Sequence, residues 1–262
     1  MTRPRRLRLR LVAPVGALVL VATALAACQP VKSVSGSCSQ YWRGYVLASD
    51  HNYAGIGAYP GSDRYMCKET PTQGVRAQIQ HLRNYADPTS TPYNLGKPFE
   101  PRVGYTEANF TSFVYHGDAP RWIDLEGRWA VPGTTYADNI FNIYNQMRAY
   151  NGVGTLSPAQ VDSTKIMRAS ELSAGQIAAF VQHTNARFGN TWRPEITPTQ
   201  MAQLYLDEGN AAGVAGDIAF CQSIIETGWF SWPGSYANGD VGAADATDAP
   251  YFELRDGTTF RN

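Results

Sequence analysis

The chain has 262 residues, 44% hydrophobic and 17% charged, with 22 Lys and Arg against 22 Asp and Glu. This is an ordinary globular composition, long enough to bury one sizeable core or two small ones. Five of the cations, Arg3, Arg5, Arg6, Arg8 and Arg10, stand in the first ten residues; without residues 1–27 the balance is 17 against 22, a net charge of −5, and such a chain needs no nucleic-acid partner.

The Arg-rich start runs into an apolar stretch from Leu11 to Ala27, broken only by Pro14, Gly16 and Thr23. That layout is a secretory signal, shorter than the roughly 20 apolar residues of a membrane-spanning helix. It ends in Leu25-Ala26-Ala27-Cys28, which resembles the bacterial lipobox, where the Cys is acylated and becomes the new N-terminus. The expectation is a signal peptide over 1–27, a lipid on Cys28 and a small polar tether over 28–40. The domain at 41–262 is then exported and anchored to the outer face of the bacterial membrane, toward the cell wall.

Four cysteines are present, Cys28, Cys38, Cys67 and Cys221. With Cys28 acylated, export favours a disulfide between Cys38 and Cys67, both in polar, Gly-rich surroundings. Cys221 falls on an apolar helical stripe and reads as a buried free thiol. No CxxC pair and no HExxH spacing among His51, His81, His116 and His183 suggests a metal, and no cofactor is expected.

Beyond residues 41–66, which read as loop or short hairpin, the predicted elements are helices with marked starts. Thr70-Pro71-Thr72-Gln73 caps a stripe of Val75, Ile79, Leu82 and Tyr85 that ends at Asp87-Pro88. The Pro-rich stretch Asp87 to Gly104 reads as a surface excursion. Tyr136, Ile140, Ile143, Tyr144 and Met147 form a second stripe, closed by Asn151-Gly152. Ser173 with Gln176 opens a third, carrying Ile177, Phe180, Val181 and Phe188. Thr197-Pro198-Thr199-Gln200 opens a fourth with Met201, Leu204 and Tyr205, and Val214, Ile218, Cys221 and Ile225 make a fifth. Residues 228–262 read again as loops or short hairpins. The fold class expected is α+β with helices predominating, without internal repeats.

Glu226 ends the fifth stripe one step off its apolar line, ahead of Thr227-Gly228-Trp229-Phe230-Ser231-Trp232. A carboxyl at the end of a buried helix beside aromatics is placed to have a raised pKa, and breaking a glycosidic bond needs such an acid to protonate the leaving oxygen. The same pattern equally describes a helix-end Glu held by its own surroundings.

The wider context adds a resemblance. Gly213-Val214-Ala215-Gly216-Asp217-Ile218-Ala219-Phe220-Cys221-Gln222-Ser223, followed by Glu226-Thr227-Gly228-Trp229-Phe230, resembles the catalytic helix of bacterial glucosaminidases of glycoside hydrolase family 73. His51-Asn52-Tyr53-Ala54-Gly55-Ile56-Gly57-Ala58 resembles that family's Asn-Asn-Phe-Ala-Gly-Ile-Gly-Ala segment. Gly74 to Leu82, Ala119 to Leu125 and Arg128-Trp129-Ala130 resemble its C-terminal half. The matches cover most of residues 50–150 and 195–232. They imply a lysozyme-like helical domain with Glu226 as general acid and Tyr136 near it in the cleft. Asn52, Tyr53, Gly55, Gly57, Trp129 and Trp229 would line the sugar subsites. No second carboxylate is implied; Glu208, Asp50, Asp63 and Asp240 are candidates, and the N-acetyl group of the substrate is the alternative.

The order of the blocks differs from the family, because Asn52 comes 174 residues before Glu226 instead of shortly after it. A circular permutation within one chain accounts for this, and a swapped dimer is the rival. Permutation requires Asn52 and Tyr53 to return to Glu226. It also requires the Val75–Tyr85 helix to pack on the one ending at Ile225 through their apolar stripes, and Cys38–Tyr45 to approach the segment after Trp232. The activity implied is endo-β-N-acetylglucosaminidase action on peptidoglycan glycan strands, as in an autolysin, by a monomer. A lytic transglycosylase and an inactive wall-binding lipoprotein are the competing readings.

Overall fold

Thr70, Ser173 and Thr197 each accept a hydrogen bond from the backbone N–H of the Gln three residues on, and each opens a helix where its motif stands. In the computed structural model the described residues are 46–58, 66–102, 105–131 and 133–232, with the strand pairs Phe252–Glu253 and Thr259–Phe260. They all fall in the unit Ser37–Asn262. The signal, the tether, Cys28, Cys38, Asp63, Asp240 and the segment just after Trp232 lie outside the described residues.

Six α-helices are described: α1 (Pro71–Ala86), α2 (Tyr136–Tyr150), α3 (Pro158–Ser163), α4 (Ala174–Phe188), α5 (Pro198–Ala212) and α6 (Gly216–Thr227). Short 3-10 turns cover Ala48–Asp50, Glu107–Asn109 and Trp122–Leu125. The fold is predominantly helical; the strands described, β1 (Phe252–Glu253) and β2 (Thr259–Phe260), pair antiparallel as a ribbon. No helix among the described residues is long and apolar enough to cross a membrane.

The apolar stripes form one core. Val75, Ile79 and Leu82 of α1, Ile140, Tyr144 and Met147 of α2, Ile177 and Val181 of α4 and Met201 and Tyr205 of α5 are all buried in it. α6 lies at its centre, with every residue from Gly216 to Ile224 buried, so it is enclosed on all sides instead of along one face. α5 packs against α1, α4 and α6, and α2 packs against α6. Gln78 also links α1 to α6 directly, reaching Ala219 and Gln222 from within the shared apolar core.

Two stripe assignments need correction. α6 begins at Gly216, and Val214 stands before it in a bridge with Met167. Phe188 is 51% exposed because it closes α4 just before the left-handed Gly189. Leu204, partly buried, packs against the core as its stripe implies. The stretch after α1 is a surface excursion at Tyr93, yet Leu95 folds back to make a small core with Tyr105 and Phe110.

α5 and α6 meet at backbone distance. A Cβ on Gly216 would stand 2.1 Å from the Tyr205 carbonyl oxygen, which belongs to the backbone of α5. Gly216→Ala should therefore push the two helices apart and destabilise the domain by about 1–3 kcal/mol, the usual range for overpacking. Urea denaturation followed by circular dichroism checks this; an unchanged midpoint would show that α5 yields freely.

Candidate active site

Glu226 occupies the last turn of α6, where the helix carbonyls point and a carboxylate is disfavoured. The residue as a whole is half-buried, and protein crowds its carboxyl. The Tyr136 hydroxyl, from the first residue of α2, donates to Oε1 at 2.5 Å, and the Trp129 side chain donates a further hydrogen bond. Oε2 faces Gly55: a Cβ built there would lie 2.8 Å from it. Thus the loop of residues 51–58 stands against Glu226 although most of the described chain separates them.

Each neighbour is held by its own local structure. Asn52 donates to the Ile56 carbonyl at 3.0 Å and accepts from the Ile56 N–H at 3.0 Å, closing the loop that presents Gly55 at φ +61°. A side chain would be strained there and would collide with the acid. Ala54, Ile56 and Met66 pack on Ala77 of α1 and on Trp129, which seats the loop. Trp129 follows the Trp122–Leu125 turn, and its backbone N–H donates to the Leu125 carbonyl.

After α6 the chain turns sharply. Gly228, Trp229 and Phe230 all have positive φ, as does Trp232. Thr227 stabilises this run: its hydroxyl donates to the Ser223 carbonyl at 2.5 Å and accepts from the Phe230 N–H at 2.9 Å. Non-Gly residues in the left-handed region are strained and tend to cluster at functional sites, and these adjoin the Glu226 carboxyl.

Several expected lining residues are placed beneath the site instead. Trp229 is 3% exposed and packs on Phe180, so its ring belongs to the core. Tyr53 is fully buried between Phe230 and Trp232, and Asn52 is spent on its loop. Gly55, Gly57 and Trp129 are the expected residues that stay partly exposed. Beyond Trp129 an aromatic cluster continues through His81, Tyr85, Tyr105 and Phe113, with the Arg102 guanidinium 4.1 Å from the Tyr105 ring. Burial and Arg102 push the His81 pKa down and keep the ring neutral.

Of the candidate second carboxylates, Glu208 is buried in a two-bonded pair with Arg76 at 3.0 and 2.9 Å, bracing α1 against α5. Asp50 accepts from the Leu47 N–H and lies 3.8 Å from the Cys67 sulfur. Cys67 is disulfide-bonded, and Cys221 is a buried free thiol. No cluster that could hold a metal occurs among the described residues.

The sequence reading missed Gln78, Gln222 and Ser223, which are fully buried behind Tyr136. Gln222 donates to the Tyr136 oxygen at 2.9 Å, and Gln78 donates to Gln222 at 2.8 Å. The available signal was a polar residue on the buried face of each helix, which must have a partner.

Burial raises the Glu226 pKa to about 7, against the pull of the Tyr136 and Trp129 hydrogen bonds toward the ionised form. Burial and the adjacent Glu226 push the Tyr136 pKa well above the usual phenol value, so it remains a neutral donor. The arrangement can deliver a proton near neutral pH and then receive the resulting anion on two fixed donors.

No family model matches the chain, and no solved structure does. A protein of Borreliella burgdorferi described only as uncharacterized is 29% identical over 110 residues, covering 42% of this chain and 48% of that one. The match thus spans about half the length of that relative.

Between the ordinary carboxylate pKa of about 4.3 and the raised value near 7, the folded protein keeps a proton that the unfolded chain has lost. Stability therefore falls as pH rises through that window. Glu226→Gln lacks this loss, so its Tm should gain on the wild type between pH 5 and pH 8. Calorimetry at both values reads the gap, and a constant gap would show that the carboxyl is not desolvated.

Proposed function

We propose that the chain is an exported, lipid-anchored peptidoglycan hydrolase that cuts glycan strands at N-acetylglucosamine, an endo-β-N-acetylglucosaminidase with Glu226 as general acid. The observation that carries this reading is the Glu226 carboxyl itself: it belongs to a half-buried residue at the end of α6, burial raises its pKa to about 7, and Gly55 lies against Oε2. An acid is most effective when its pKa is near the working pH, and a carboxyl so tuned protonates a glycosidic oxygen as the bond breaks. The C–O bond electrons leave with that oxygen, and the ring oxygen stabilises the positive charge at the anomeric carbon. Tyr136 and Trp129 hold the glutamate anion until it takes a proton from the attacking water.

The substrate class follows from the resemblance of three blocks to family 73 glucosaminidases, and Trp129, a half-buried aromatic residue bonded to Glu226, suits a sugar ligand. Among the described residues no other carboxylate acts on Glu226, which suits a substrate whose own N-acetyl oxygen assists at the anomeric carbon. The lysozyme-like fold and the circular permutation belong to the same reading. The approach of Gly55 to Glu226 within one chain supports permutation over a swapped dimer.

Purified peptidoglycan digested with the protein and analysed by mass spectrometry should yield fragments ending in reducing N-acetylglucosamine. Anhydro sugars would mean a lytic transglycosylase, and intact strands a binding module. Glu226→Gln should lower the rate by roughly 10²–10⁴-fold with the fold retained by circular dichroism; activity within about tenfold of wild type would refute the assignment. Cys28→Ala should remove the protein from the detergent phase of cells expressing it, and unchanged partitioning would refute the lipid anchor.

A further inference from the structure

Behind Tyr136 the hydrogen bonds have a direction, and that direction can be followed from the core out to Glu226. The Ala219 carbonyl can only accept. The Gln78 group 3.3 Å from it is therefore the amide nitrogen, and the same nitrogen faces Gln222 at 2.8 Å. The Gln78 oxygen then turns to the Tyr205 and Ser223 hydroxyls, at 2.7 and 2.9 Å; these two share a hydrogen bond of their own at 2.5 Å, so one of them donates to the Gln78 oxygen. Gln222 must accept from Gln78 with its oxygen, which leaves its nitrogen to donate to the Tyr136 oxygen at 2.9 Å. The phenol has one hydrogen, and its remaining partner is Oε1 of Glu226 at 2.5 Å.

We propose that Gln78 and Gln222 are positioning residues: they fix Tyr136 as a donor to Oε1, so the transferable proton of Glu226 stands on Oε2, the oxygen facing Gly55. This rests on the reading of Glu226 as the acid, and it adds which oxygen delivers the proton and what forbids the other. If the chain ran the opposite way, Tyr136 would accept from Glu226, and the proton would point inward, away from any substrate. One backbone carbonyl, that of Ala219, selects between the two arrangements, because in the reversed one the Gln78 oxygen would face it and two acceptors would oppose each other. The two glutamines are buried, so water does not blur the choice.

Among the described residues the groups facing Glu226 are few. Tyr136 from α2 touches it, the Trp129 side chain comes from the segment after Trp122–Leu125, and the loop of residues 51–58 presents the Gly55 backbone. Tyr85 of α1 acts next, through Tyr136, and no charged side chain among the described residues acts on the carboxyl through space. A change at Tyr136 or Gln222 therefore reads directly on Glu226.

The test is the titration of the Glu226 side-chain carboxyl by ¹³C NMR in the full folded chain without substrate, compared across wild type, Tyr136→Phe and Gln222→Met. With Tyr136 as donor, Tyr136→Phe removes a bond to the carboxylate and should raise the Glu226 pKa by about one unit. Gln222→Met frees the phenol oxygen to accept from the acid form and should raise it by less. With the reversed chain both variants lower the pKa, because the lost bond then favoured the acid. A fall, or no change, in either folded variant overturns the proposal. Should Gln222→Met fail to fold, Tyr136→Phe alone decides the sign. Because no substrate is used, a protein that cuts no glycan would refute the proposed activity and leave this result standing.

Discussion

α6 is enclosed by protein on all sides and yet carries Asp217, Gln222, Ser223, Glu226 and Thr227, and each of these must find a partner within the core. The architecture follows from that demand. Asp217 accepts from the Tyr144 hydroxyl and from the backbone N–H groups of Glu171 and Leu172, tying α2 and the chain before α4 to the start of the helix. Gln222 and Ser223 engage Gln78 of α1 and Tyr205 of α5. Thr227 fixes the turn that follows. Apolar packing makes the core, but the polar pairs select which helix stands where, because an unmatched one would leave a buried group unsatisfied at a cost of about 1–3 kcal/mol.

Glu226 is the one member of this set that is not fully buried as a residue, and it lies where the helix ends. Its neighbours come from three distant stretches of chain: the loop at 51–58, the segment bearing Trp129, and the start of α2. Each is anchored by contacts of its own before it reaches the carboxyl. The surroundings of Glu226 are thus assembled from parts that are each held by their own local hydrogen bonds and packing.

Helix starts were legible in the sequence because Thr or Ser with Gln three residues on has a local meaning, and Thr70, Ser173 and Thr197 act as that pattern says. Ser157 with Gln160 has the same pattern and opens α3, which escaped notice because that helix is short and buries only Val161. Glu226 stands out by its place at the helix end but is singled out as an acid only through block resemblance, and so is the approach of the 51–58 loop, since no local signal spans so much chain. Gln78 and Gln222 were hidden because counting apolar periodicity passes over polar residues on the same face. Trp129 and Trp229 looked alike as aromatic residues. Only the left-handed turn at Gly228–Phe230, which folds Trp229 inward, tells them apart.

Cys221 sits midway along α6 with its thiol wholly enclosed, and burial pushes its pKa well up. Reagents that need the exposed thiolate reach it only when the helix leaves the core. Its rate of alkylation is then a clock for the opening of the element that carries Glu226, one residue type reporting on the motions of another. Ligands that close over the site without touching Cys221 would slow that clock in proportion to how firmly they hold the helix in place.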